Sequence, residues 1–443
     1  MARKFVIETF GCQMNYHDGE RITGLLESEG YESTTDETEA ELVVMNTCSV
    51  REKAVDKVKS RIGEILDAAR ERGAAEPMVA VTGCVAQQEG DKLFRNGSPI
   101  SVVAGTQAVK QLPRLLDEAR ATQKPRVDVN PYEDVSFPLG MAKPSDPSRA
   151  WVTIIEGCNE FCSFCVVPYT RGHERMRPVR DILAEVQRAA DTGRIEVQLL
   201  GQIVNHYQAP DDACDFADLL HRVHDVAGIE RIRFASPHPR HVSPRLIEAM
   251  RDLPKVAKHF HLPVQSGSNT ILTAMRRRYT REIYLEQIAA LRQAIPSIAV
   301  STDVIVGFPG ESAEDFELTM DLVRQVRYHA IYSFKYSPRP NTLAVKRMPD
   351  DVTEGEKTRR IVALQDLQRD LQVEIYGAMV GNIEQVMVDA VSRRRDWELA
   401  GRTSGNTVVN FAGDASLVGR IVPVRITGAA PNTLRGEAVS HVD

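Results

Sequence analysis

Three cysteines in one short segment have the spacing of an iron–sulfur ligand set. They are Cys158, Cys162 and Cys165, and Phe164 stands between the second and the third. We call them the loop triad. Three thiolates in one loop can hold three irons of a 4Fe–4S cluster, whereas a cluster held by protein alone takes four cysteines. The missing fourth ligand would leave one iron open, as in catalytic zinc sites, but the same cysteines with His173 could instead hold structural zinc.

A second set of three cysteines, the sheet triad, is spread along the first part of the chain. Cys12, Cys48 and Cys84 are each 36 residues from the next, and each lies just beyond a predicted strand. Neighbouring parallel strands lie about 4.8 Å apart, so adjacent strand ends can converge on one cluster. The carboxyl edge of an open sheet also binds ligands, and Gly11 and Gly83 would let the backbone approach closely. We therefore predict a second cluster here, although an isolated cysteine is usually a small buried hydrophobic residue.

The first 145 residues predict an open parallel sheet, because apolar strand candidates alternate with helical stretches. The strand candidates are residues 5–9, 42–46 and 78–82, and the helices are about 16–29 and 51–72. Residues 125–147 are rich in Pro, Asp and Ser and are predicted to form a linker. We therefore place the first domain at residues 1–145.

Residues 146–377 repeat a strand–helix pattern six times, which predicts a partial (β/α)6 barrel. Candidate strands begin near residues 151, 195, 231, 259, 300 and 330, and a charged helix at 353–376 ends the series. The loop triad follows the first strand, at the carboxyl end where barrel enzymes place their active sites. Residues 378–443 alternate short strand-like runs with turn residues, which predicts a small antiparallel β-barrel. Such barrels often bind oligonucleotides.

The composition sets limits on partners and location. A net charge of −6 does not suit an RNA binder with a global positive field, so any RNA site must be a local basic patch. The sequence shows neither a signal-peptide core nor an apolar run of the roughly 20 residues that span a bilayer. We expect a cytoplasmic protein without membrane association, where disulfides are rare. Seven cysteines then favour metal binding, with Cys214 an incidental residue.

Motifs along nearly the whole chain resemble the radical S-adenosylmethionine (SAM) methylthiotransferase family, and the loop triad resembles the signature of its superfamily. The matching stretches are TFGCQMN (9–15), NTCSVR (46–51), TGCVAQ (82–87), PYTRGHER (168–175), LLGQ (199–202), HLPVQSGS (261–268), DVIVGFPGE (303–311) and YSPRP (336–340). The resemblance implies an N-terminal methylthiotransferase domain with an auxiliary iron–sulfur cluster, a radical SAM barrel and a C-terminal RNA-binding TRAM domain.

The resemblance also implies radical chemistry at the C2–H bond of an adenine, which is neither acidic nor open to polar attack. The loop triad's cluster would bind SAM and cleave it to a 5′-deoxyadenosyl radical that abstracts this hydrogen. The sheet triad's cluster would supply or carry the sulfur, which a second SAM methylates. We therefore expect two 4Fe–4S clusters and two SAM molecules per turnover. An electron donor such as flavodoxin or ferredoxin, a sulfur source and a monomeric enzyme are also expected.

Short branch-specific stretches bear on the substrate. Gln13-Met14-Asn15 and Val50-Arg51 resemble the branch that acts on N(6)-dimethylallyladenosine at position 37, in the anticodon stem–loop of tRNA. One alternative is a sister methylthiotransferase that acts on threonylcarbamoyladenosine in tRNA or on a ribosomal protein. A remote alternative is a non-catalytic iron–sulfur RNA-binding protein. That class needs clusters fully ligated by protein, and only six cysteines are suitably placed.

The family motifs also suggest further site residues at strand ends. Asp303, within an apolar strand, needs partners and is expected either to be structural or to bind substrate. The candidate SAM contacts, each with a plain strand-to-helix turn as the alternative, are Gln202, Gln265, Ser266, Gly307, Phe308 and Gly310. The candidate tRNA contacts, for which a solvated charged face is the alternative, are Arg171, Arg175, Arg276, Arg277 and Arg278.

Two motifs depart from the family pattern. The usual Gln-Asn-Val-Asn is here Gln202-Ile203-Val204-Asn205, which removes one polar side chain. The usual Met-Asn-Arg-Gly is here Met275-Arg276-Arg277-Arg278, which adds positive charge.

Overall fold

The computed structural model describes residues 3–49, 54–95, 98–130, 142–143, 146–392, 395 and 397–439. The chain divides into two compact units. The first comprises Met1–Ser145, Glu156–Asn159 and Cys165–Arg175, and the second comprises Asp146–Ile155, Glu160–Phe164 and Met176–Asp443. Parts of the loop-triad segment thus belong to the N-terminal unit.

The first unit is built on a six-stranded parallel sheet with the strand order β2-β1-β3-β4-β5-β6. Alternate residues of its central strand pack on opposite faces: Val44 with Phe5 and Leu112, and Met45 with Ile62. Helices therefore cover both faces, as all-parallel sheets require. The elements are β1 (Arg3–Phe10), α1 (Gln13–Ser28), β2 (Tyr31–Ser33), β3 (Leu42–Thr47), α2 (Ala54–Glu71), β4 (Met78–Gly83), α3 (Cys84–Glu89), β5 (Ile100–Ala104), α4 (Leu112–Thr122) and β6 (Arg126–Asp128).

The three predicted strands and two predicted helices of this unit are confirmed, with ends close to those expected. The sequence does not predict β2 and β6, because three residues are too few to show a periodic pattern; β5 is missed as well. The predicted linker is wrong at its start, since residues 126–128 pair with β5 as an edge strand. Most of the remaining linker stretch, and Val50 and Arg51, lie outside the described residues.

The second unit contains a partial barrel of six parallel strands in two sheets, with the orders β11-β10-β7 and β12-β13-β14. All six predicted strand–helix repeats are confirmed, because apolar residues of each strand pack on the helix layer in one core. The elements from residue 149 to residue 377 are β7 (Arg149–Thr153), β8 (Ile155–Glu156), α5 (Val167–Thr170), β9 (Arg175–Met176), α6 (Val179–Asp191), β10 (Glu196–Leu200), α7 (Phe216–His224), β11 (Arg231–Phe234), α8 (Pro244–Asp252), β12 (His259–His261), α9 (Asn269–Ala274), α10 (Arg281–Ala294), β13 (Ala299–Val306), α11 (Ala313–Val326), β14 (Ala330–Lys335), α12 (Leu343–Arg347) and α13 (Glu354–Gly377).

The C-terminal part of this unit is a closed five-stranded barrel with the order β15-β16-β17-β19-β18. Its strands are β15 (Ile383–Val391), β16 (Glu398–Arg402), β17 (Val408–Ala412), β18 (Ile421–Ala429) and β19 (Leu434–Ala438). The predicted small antiparallel barrel is confirmed except for one parallel pair, β17 with β19. An odd number of strands cannot close into a ring with every pair antiparallel. Within the described residues, no helix is long and apolar enough to cross a membrane.

A buried ionic network joins this small barrel to the amino ends of the large-barrel strands. Glu196, fully buried at the start of β10, accepts hydrogen bonds from Arg149 and Arg233. Although burial opposes it, the charges of Arg233 and Arg149 hold the pKa of Glu196 below its usual value. Arg231 and Arg233 also donate to backbone carbonyl oxygens of the small barrel, at residues 385, 402, 403 and 404. The small barrel therefore covers the end opposite to the carboxyl ends of the strands.

Candidate metal centres and active site

The sheet triad lies where three adjacent parallel strands end. Cys12 occupies the N-cap position of α1 two residues after β1, Cys48 directly follows β3, and Cys84 begins α3 directly after β4. The pairing register aligns the last residues of these three strands side by side. The structure thus brings the three predicted ligands together, Cys12 exposed and the other two buried.

The three thiols of the sheet triad interact directly. Cys48 forms hydrogen bonds with both Cys12 and Cys84, and these bonds, together with burial, raise the pKa of Cys48. The same bonds, aided by the positive charge of Arg171, lower the pKa of Cys12 and of Cys84 to about 6. A thiol with a lowered pKa is a ready thiolate, which is the form that binds metal.

Two buried amides frame the sheet triad. Asn15 donates through Nδ2 to Asn46 Oδ1 over 3.3 Å and to the Thr47 carbonyl over 3.2 Å, and Asn46 Nδ2 donates to the Asn15 carbonyl over 2.7 Å. Asn15 Oδ1 lies 3.2 Å from Cys12 Sγ. Both amides are fully buried, so they fix the cysteine-bearing loops to each other. Gly83 adds a close approach, because a Cβ at its φ of +85° would lie 2.5 Å from the Thr47 carbonyl oxygen.

Arg171, predicted from sequence as a tRNA contact, is buried in the first unit. Its guanidinium donates to Asp18 Oδ2 over 2.6 Å, with 7% of the Arg171 side chain exposed. A second ion pair joins Arg21 to Glu156 over 2.7 Å. Both pairs tie α1, the helix with Cys12 at its N-cap position, to the segment around Cys158. Arg171 therefore lies in a buried ion pair and not on an exposed surface.

The loop triad begins at a tight turn in the first unit. Gly157 has a φ of +80°, and a Cβ there would lie 2.1 Å from the His173 carbonyl oxygen, so only glycine fits. The backbone N–H of Cys158 donates to the Gly172 carbonyl over 3.2 Å. His173, the alternative zinc ligand, has its Nδ1 3.1 Å from Asn159 Oδ1.

The middle of the loop triad is fixed by contacts within the second unit. Arg277, buried, donates from Nη1 to Cys162 Sγ over 3.4 Å and also to Tyr279 Oη over 3.0 Å. The Ser163 N–H donates to the Met275 carbonyl over 3.1 Å. Positive charge and fixed backbone therefore meet at one of the three predicted cluster ligands.

The other four predicted tRNA-binding arginines differ in burial. Arg277 is buried, whereas Arg276 and Arg278 are exposed and Arg175 is half-buried on β9. Arg276 and Arg278 both have a φ of +59°, a conformation that Asn and Gly adopt more readily than other residues. The family's Asn and Gly at these two positions thus fit the backbone better than the arginines that this chain carries.

The predicted SAM contacts lie at the carboxyl ends of the barrel strands. Gln202, after β10, has a buried Oε1 with no hydrogen-bond partner among the described residues. An orphaned acceptor at this end of the barrel fits a ligand that donates a hydrogen bond. Gln265 is buried with a φ of +71°. Ser266 Oγ accepts from the Ser268 N–H over 3.2 Å, which also gives Ser266 a role in its own turn.

The turn after β13 carries the other three predicted SAM contacts. Gly307 has a φ of +70°, and its N–H donates to Glu311 Oε2 over 2.6 Å. The Gly310 N–H donates to Asp351 Oδ1 over 2.8 Å. Phe308 is fully buried and packs edge-to-face on Phe164 of the loop triad segment, with ring centroids 6.5 Å apart.

Sequence reasoning missed several residues that shape these sites. The roles of Asn46 and Asp18 cannot be predicted from the sequence, because their hydrogen-bond and ion-pair partners are distant in the chain. Glu160, inside the loop triad, accepts from Arg240 over 3.2 Å and lies 3.0 Å from His241 Nε2. The hydrogen bond with His241, aided by the charge of Arg240, lowers the pKa of Glu160 to about 2. A charged residue between two cysteine ligands was the available signal.

The donor chemistry of both triads fits iron–sulfur clusters, because soft thiolates are the ligands of such clusters. Six of the seven cysteines form the triads, and the seventh, Cys214, is buried in the large-barrel core. Across the described residues, no group of three His, Cys, Asp or Glu side chains is arranged to hold a single metal ion.

Three family descriptions match successive parts of the chain. Residues 4–105 match the "Uncharacterized protein family UPF0004", residues 152–323 match the "Radical SAM superfamily", and residues 377–439 match the "TRAM domain". The matches follow the order of the parallel sheet, the partial barrel and the small barrel.

Full-length relatives include proteins named tRNA-2-methylthio-N(6)-dimethylallyladenosine synthase. The one from Delftia acidovorans is 45% identical and covers 99% of each chain. The one from Geobacter metallireducens is 44% identical and covers 97% of each chain. The one from Solibacter usitatus is 42% identical and covers 100% of this chain and 99% of the relative.

Solved structures with the same fold share little sequence. The radical S-adenosylmethionine methyltransferase TsrM from Kitasatospora setae has a TM-score of 0.57 at 13% identity, over 88% of this chain and 79% of its own. The cobalamin-dependent S-adenosylmethionine radical enzyme OxsB has a TM-score of 0.53 at 11% identity, over 83% and 56%. These similarities bear on the fold alone.

Proposed function

We propose that this chain, which belongs to the radical SAM methylthiotransferase family, holds two 4Fe–4S clusters, one on each cysteine triad. It is a transferase that replaces the C2 hydrogen of N(6)-dimethylallyladenosine 37 in tRNA with a methylthio group. The observation that carries this function is the identity of 42–45% to such synthases along 97–100% of the chain. We also propose domain limits of 1–145, 146–377 and 378–443.

The loop triad holds the cluster at which SAM binds. With SAM, a 4Fe–4S cluster that has one open iron supplies the radical chemistry needed at an unactivated C–H bond. Cys158, Cys162 and Cys165 provide its thiolates, and Arg277 stabilises the negative charge at Cys162 through its hydrogen bond. The orphaned Oε1 of Gln202 accepts a hydrogen bond from SAM in this proposal.

The sheet triad holds the auxiliary cluster, which serves as the sulfur station. Cys12, Cys48 and Cys84 provide the thiolates, the buried Asn15–Asn46 pair fixes their spacing, and Arg171 offsets their charge. Three thiolates gathered in one partly buried place repel one another, so a buried cation beside them favours the ligating state. Sulfur reaches this triad from an external source in our proposal, and an electron donor such as flavodoxin or ferredoxin supplies electrons.

The substrate is the anticodon stem–loop of a prenylated tRNA, whose single-stranded loop lets a base be splayed out of the stack cheaply. Arg175, Arg276 and Arg278 are the candidate arginines that are not fully buried, which supports phosphate contact by these three. Packing the five-carbon dimethylallyl group against apolar side chains would contribute a few kcal/mol of discrimination at roughly 25 cal/mol per Å².

The test combines iron analysis with nucleoside mass spectrometry on anaerobically reconstituted protein. We expect about eight irons per chain, and about four after either triad is changed to Ala. The loop-triad variant should lose reductive SAM cleavage. The sheet-triad variant should still release 5′-deoxyadenosine from SAM but form no methylthio product. The wild type should modify prenylated tRNA far faster than unmodified tRNA.

The matched control is Cys214→Ala, which removes the one cysteine outside both triads and should leave the iron content unchanged. Zinc in place of iron in the loop triad would overturn the radical assignment. If the sheet-triad variant still thiolated tRNA, the sheet triad would not be the source of the sulfur. Turnover confined to threonylcarbamoylated tRNA or to a ribosomal protein would move the chain to a sister branch of the family.

A further inference from the structure

One wall of the large barrel's interior carries side chains with no role in the proposal above. Successive strand residues point to opposite faces, and in β13 the residues Val300, Val304 and Val306 belong to the core between strands and helices. The odd-numbered residues Asp303 and Ile305 therefore point into the barrel interior.

Strand β14 follows the same alternation. Ile331 packs against the core, and Ser333 Oγ accepts a hydrogen bond of 3.0 Å from Gln365 of α13, so these two residues face the helix layer. Tyr332 and Phe334 consequently face the interior. The register pairs Tyr332 with Asp303 and Phe334 with Ile305. We call these four residues the interior wall.

The two aromatic rings of the interior wall are accessible. Tyr332 is 52% exposed and Phe334 is 45% exposed, whereas the interior of a complete (β/α)8 barrel is a packed core of aliphatic side chains. Two accessible rings on one face of an edge strand form an aromatic surface. Such surfaces bind nucleobases, because every base has a π-face on which an aromatic ring stacks.

The interior wall also carries a hydrogen-bond acceptor held in place by neighbours. Asp303 Oδ1 lies 3.4 Å from His261 Nε2, and His261 Nδ1 lies 2.9 Å from Ser301 Oγ. The His261 ring packs edge-to-face on Tyr332, with centroids 5.6 Å apart. The carboxylate is therefore oriented beside the aromatic surface, with part of its surface open: its side chain is 29% exposed.

The carboxyl end of the interior wall lies beside the loop-triad segment. Ile305 packs against a cluster formed by Ile271, Met275 and Phe308, and Phe164 packs against the same cluster. A planar ligand on the wall thus has its polar neighbours, Asp303 and His261, on one side and the loop-triad segment on the other.

We propose that the interior wall binds the N(6)-dimethylallyl adenine itself, as the base-binding part of the site to which we assign tRNA methylthiolation. The rings of Tyr332 and Phe334 and the side chain of Ile305 pack on the purine and on its five-carbon substituent. The Asp303 carboxylate accepts the N6–H. Because a carboxylate repels phosphate, the wall receives the neutral base rather than the RNA backbone.

The test is RNA binding by reconstituted wild-type and variant proteins, measured by fluorescence anisotropy. The probes are dye-labelled anticodon stem–loops that carry N(6)-dimethylallyladenosine, adenosine or purine riboside at position 37. Tyr332→Ala and Phe334→Ala should each weaken binding of the prenylated hairpin about 10-fold and reduce its advantage over the adenosine hairpin. Tyr332→Phe, which keeps the ring, should retain that advantage.

Asp303→Ala, which removes the acceptor, gives a different signature. It should weaken binding of both hairpins that have an N6–H and leave the purine riboside hairpin, which has none, unaffected. The matched control is Leu318→Ala, which truncates a side chain of similar exposure, 44%, on α11 and should change no affinity.

Three results overturn the inference. An unchanged preference for the prenylated hairpin in Tyr332→Ala and Phe334→Ala would remove the base from the wall. Loss of SAM binding in these variants, measured by equilibrium dialysis, would assign the wall to the cofactor. An equal loss of the preference in Tyr332→Phe, which keeps the ring, would show that ring stacking does not carry the binding. Failure of the wild type to thiolate prenylated tRNA would contradict the proposed function, whatever the wall binds.

Discussion

The sheet triad and the loop triad gather three thiols by different means. The cysteines of the loop triad lie within eight residues of chain, so one loop carries them all. The cysteines of the sheet triad are 36 residues apart, and each is held at the end of its own strand. The sheet triad therefore exists only when three parallel strands are paired in register.

This difference decides what else each triad needs. The sheet triad is surrounded by polar side chains from its own unit: the buried amides of Asn15 and Asn46 and the Arg171–Asp18 ion pair. The loop triad depends on anchors that follow it by more than a hundred residues, among them Arg277 and the carbonyl of Met275. A widely spaced ligand set is positioned by the fold, whereas a compact one is positioned by contacts made to its loop.

The largest expected effect is at the sheet triad, in Arg171→Met. The change keeps an apolar stem, removes the cation and leaves the Asp18 carboxylate without its ion-pair partner. Removing one partner of a buried ion pair costs about 3–5 kcal/mol. We expect the first unit to lose roughly that much stability, near the lower limit because Asp18 is 16% exposed, and the sheet triad to release its iron readily. The measurements are denaturant unfolding and iron retention against a chelator, with the loop triad changed to Ala.

The control for this prediction is the double variant Arg171→Met with Asp18→Asn. It removes both charges and should recover part of the stability, because no unpaired carboxylate remains. It should not recover iron retention if Arg171 compensates the thiolates directly. Full recovery of both properties would reduce Arg171 to a partner of Asp18.

A smaller effect is expected at the loop triad, in Arg277→Met. Hydrogen bonds to charged groups contribute about 1.5–3 kcal/mol, and Arg277 donates one to Cys162 Sγ. Its loss should make the reduction potential of the cluster proposed for the loop triad more negative by on the order of tens of millivolts, because positive charge near a cluster favours the reduced state. The measurement is a redox titration followed by electron paramagnetic resonance, with the sheet triad changed to Ala. Arg277→Lys should restore most of the potential, and an unchanged potential in Arg277→Met would contradict the assigned role.

The same difference explains what the sequence could predict. The loop triad can be predicted because its three cysteines are close together in the sequence. It also follows a strand that the apolar pattern indicates. The sheet triad could be predicted only from the expected parallel order of three strands, and that order is present in the structure. The charge of Arg171 and Arg277 was visible in the sequence, but their burial beside cysteines was not. Burial depends on partners such as Asp18, which is distant in the chain.

Short strands and the residues that face the barrel interior likewise could not be predicted from the sequence. Strands β2 and β6 are too short to show a period, and β16 and β19 carry too few apolar residues to stand out from turns. Tyr332 and Phe334 alternate with Ile331 and Ser333, but the sequence does not say which of the two faces lines the barrel. That assignment needs the contact of Ser333 with α13.

The smallest expected effect is a gain in stability from Arg278→Gly, in the turn that positions Arg277 beside the loop triad. Arg278 has a φ of +59°, and a non-glycine residue there costs about 1–2 kcal/mol, while glycine adds about 0.5–1 kcal/mol of unfolded-state entropy. The exposed guanidinium is 3.8 Å from Glu160, a contact worth at most about 1 kcal/mol. We therefore expect a net gain of roughly 0.5 kcal/mol, measured as a higher urea midpoint.

Arg278→Ala separates the two causes, because it removes the charge but keeps the strained Cβ, and it should be no more stable than the wild type. Equal stabilisation by Ala and Gly would mean that the arginine's charge, and not its backbone conformation, limits the stability of this turn.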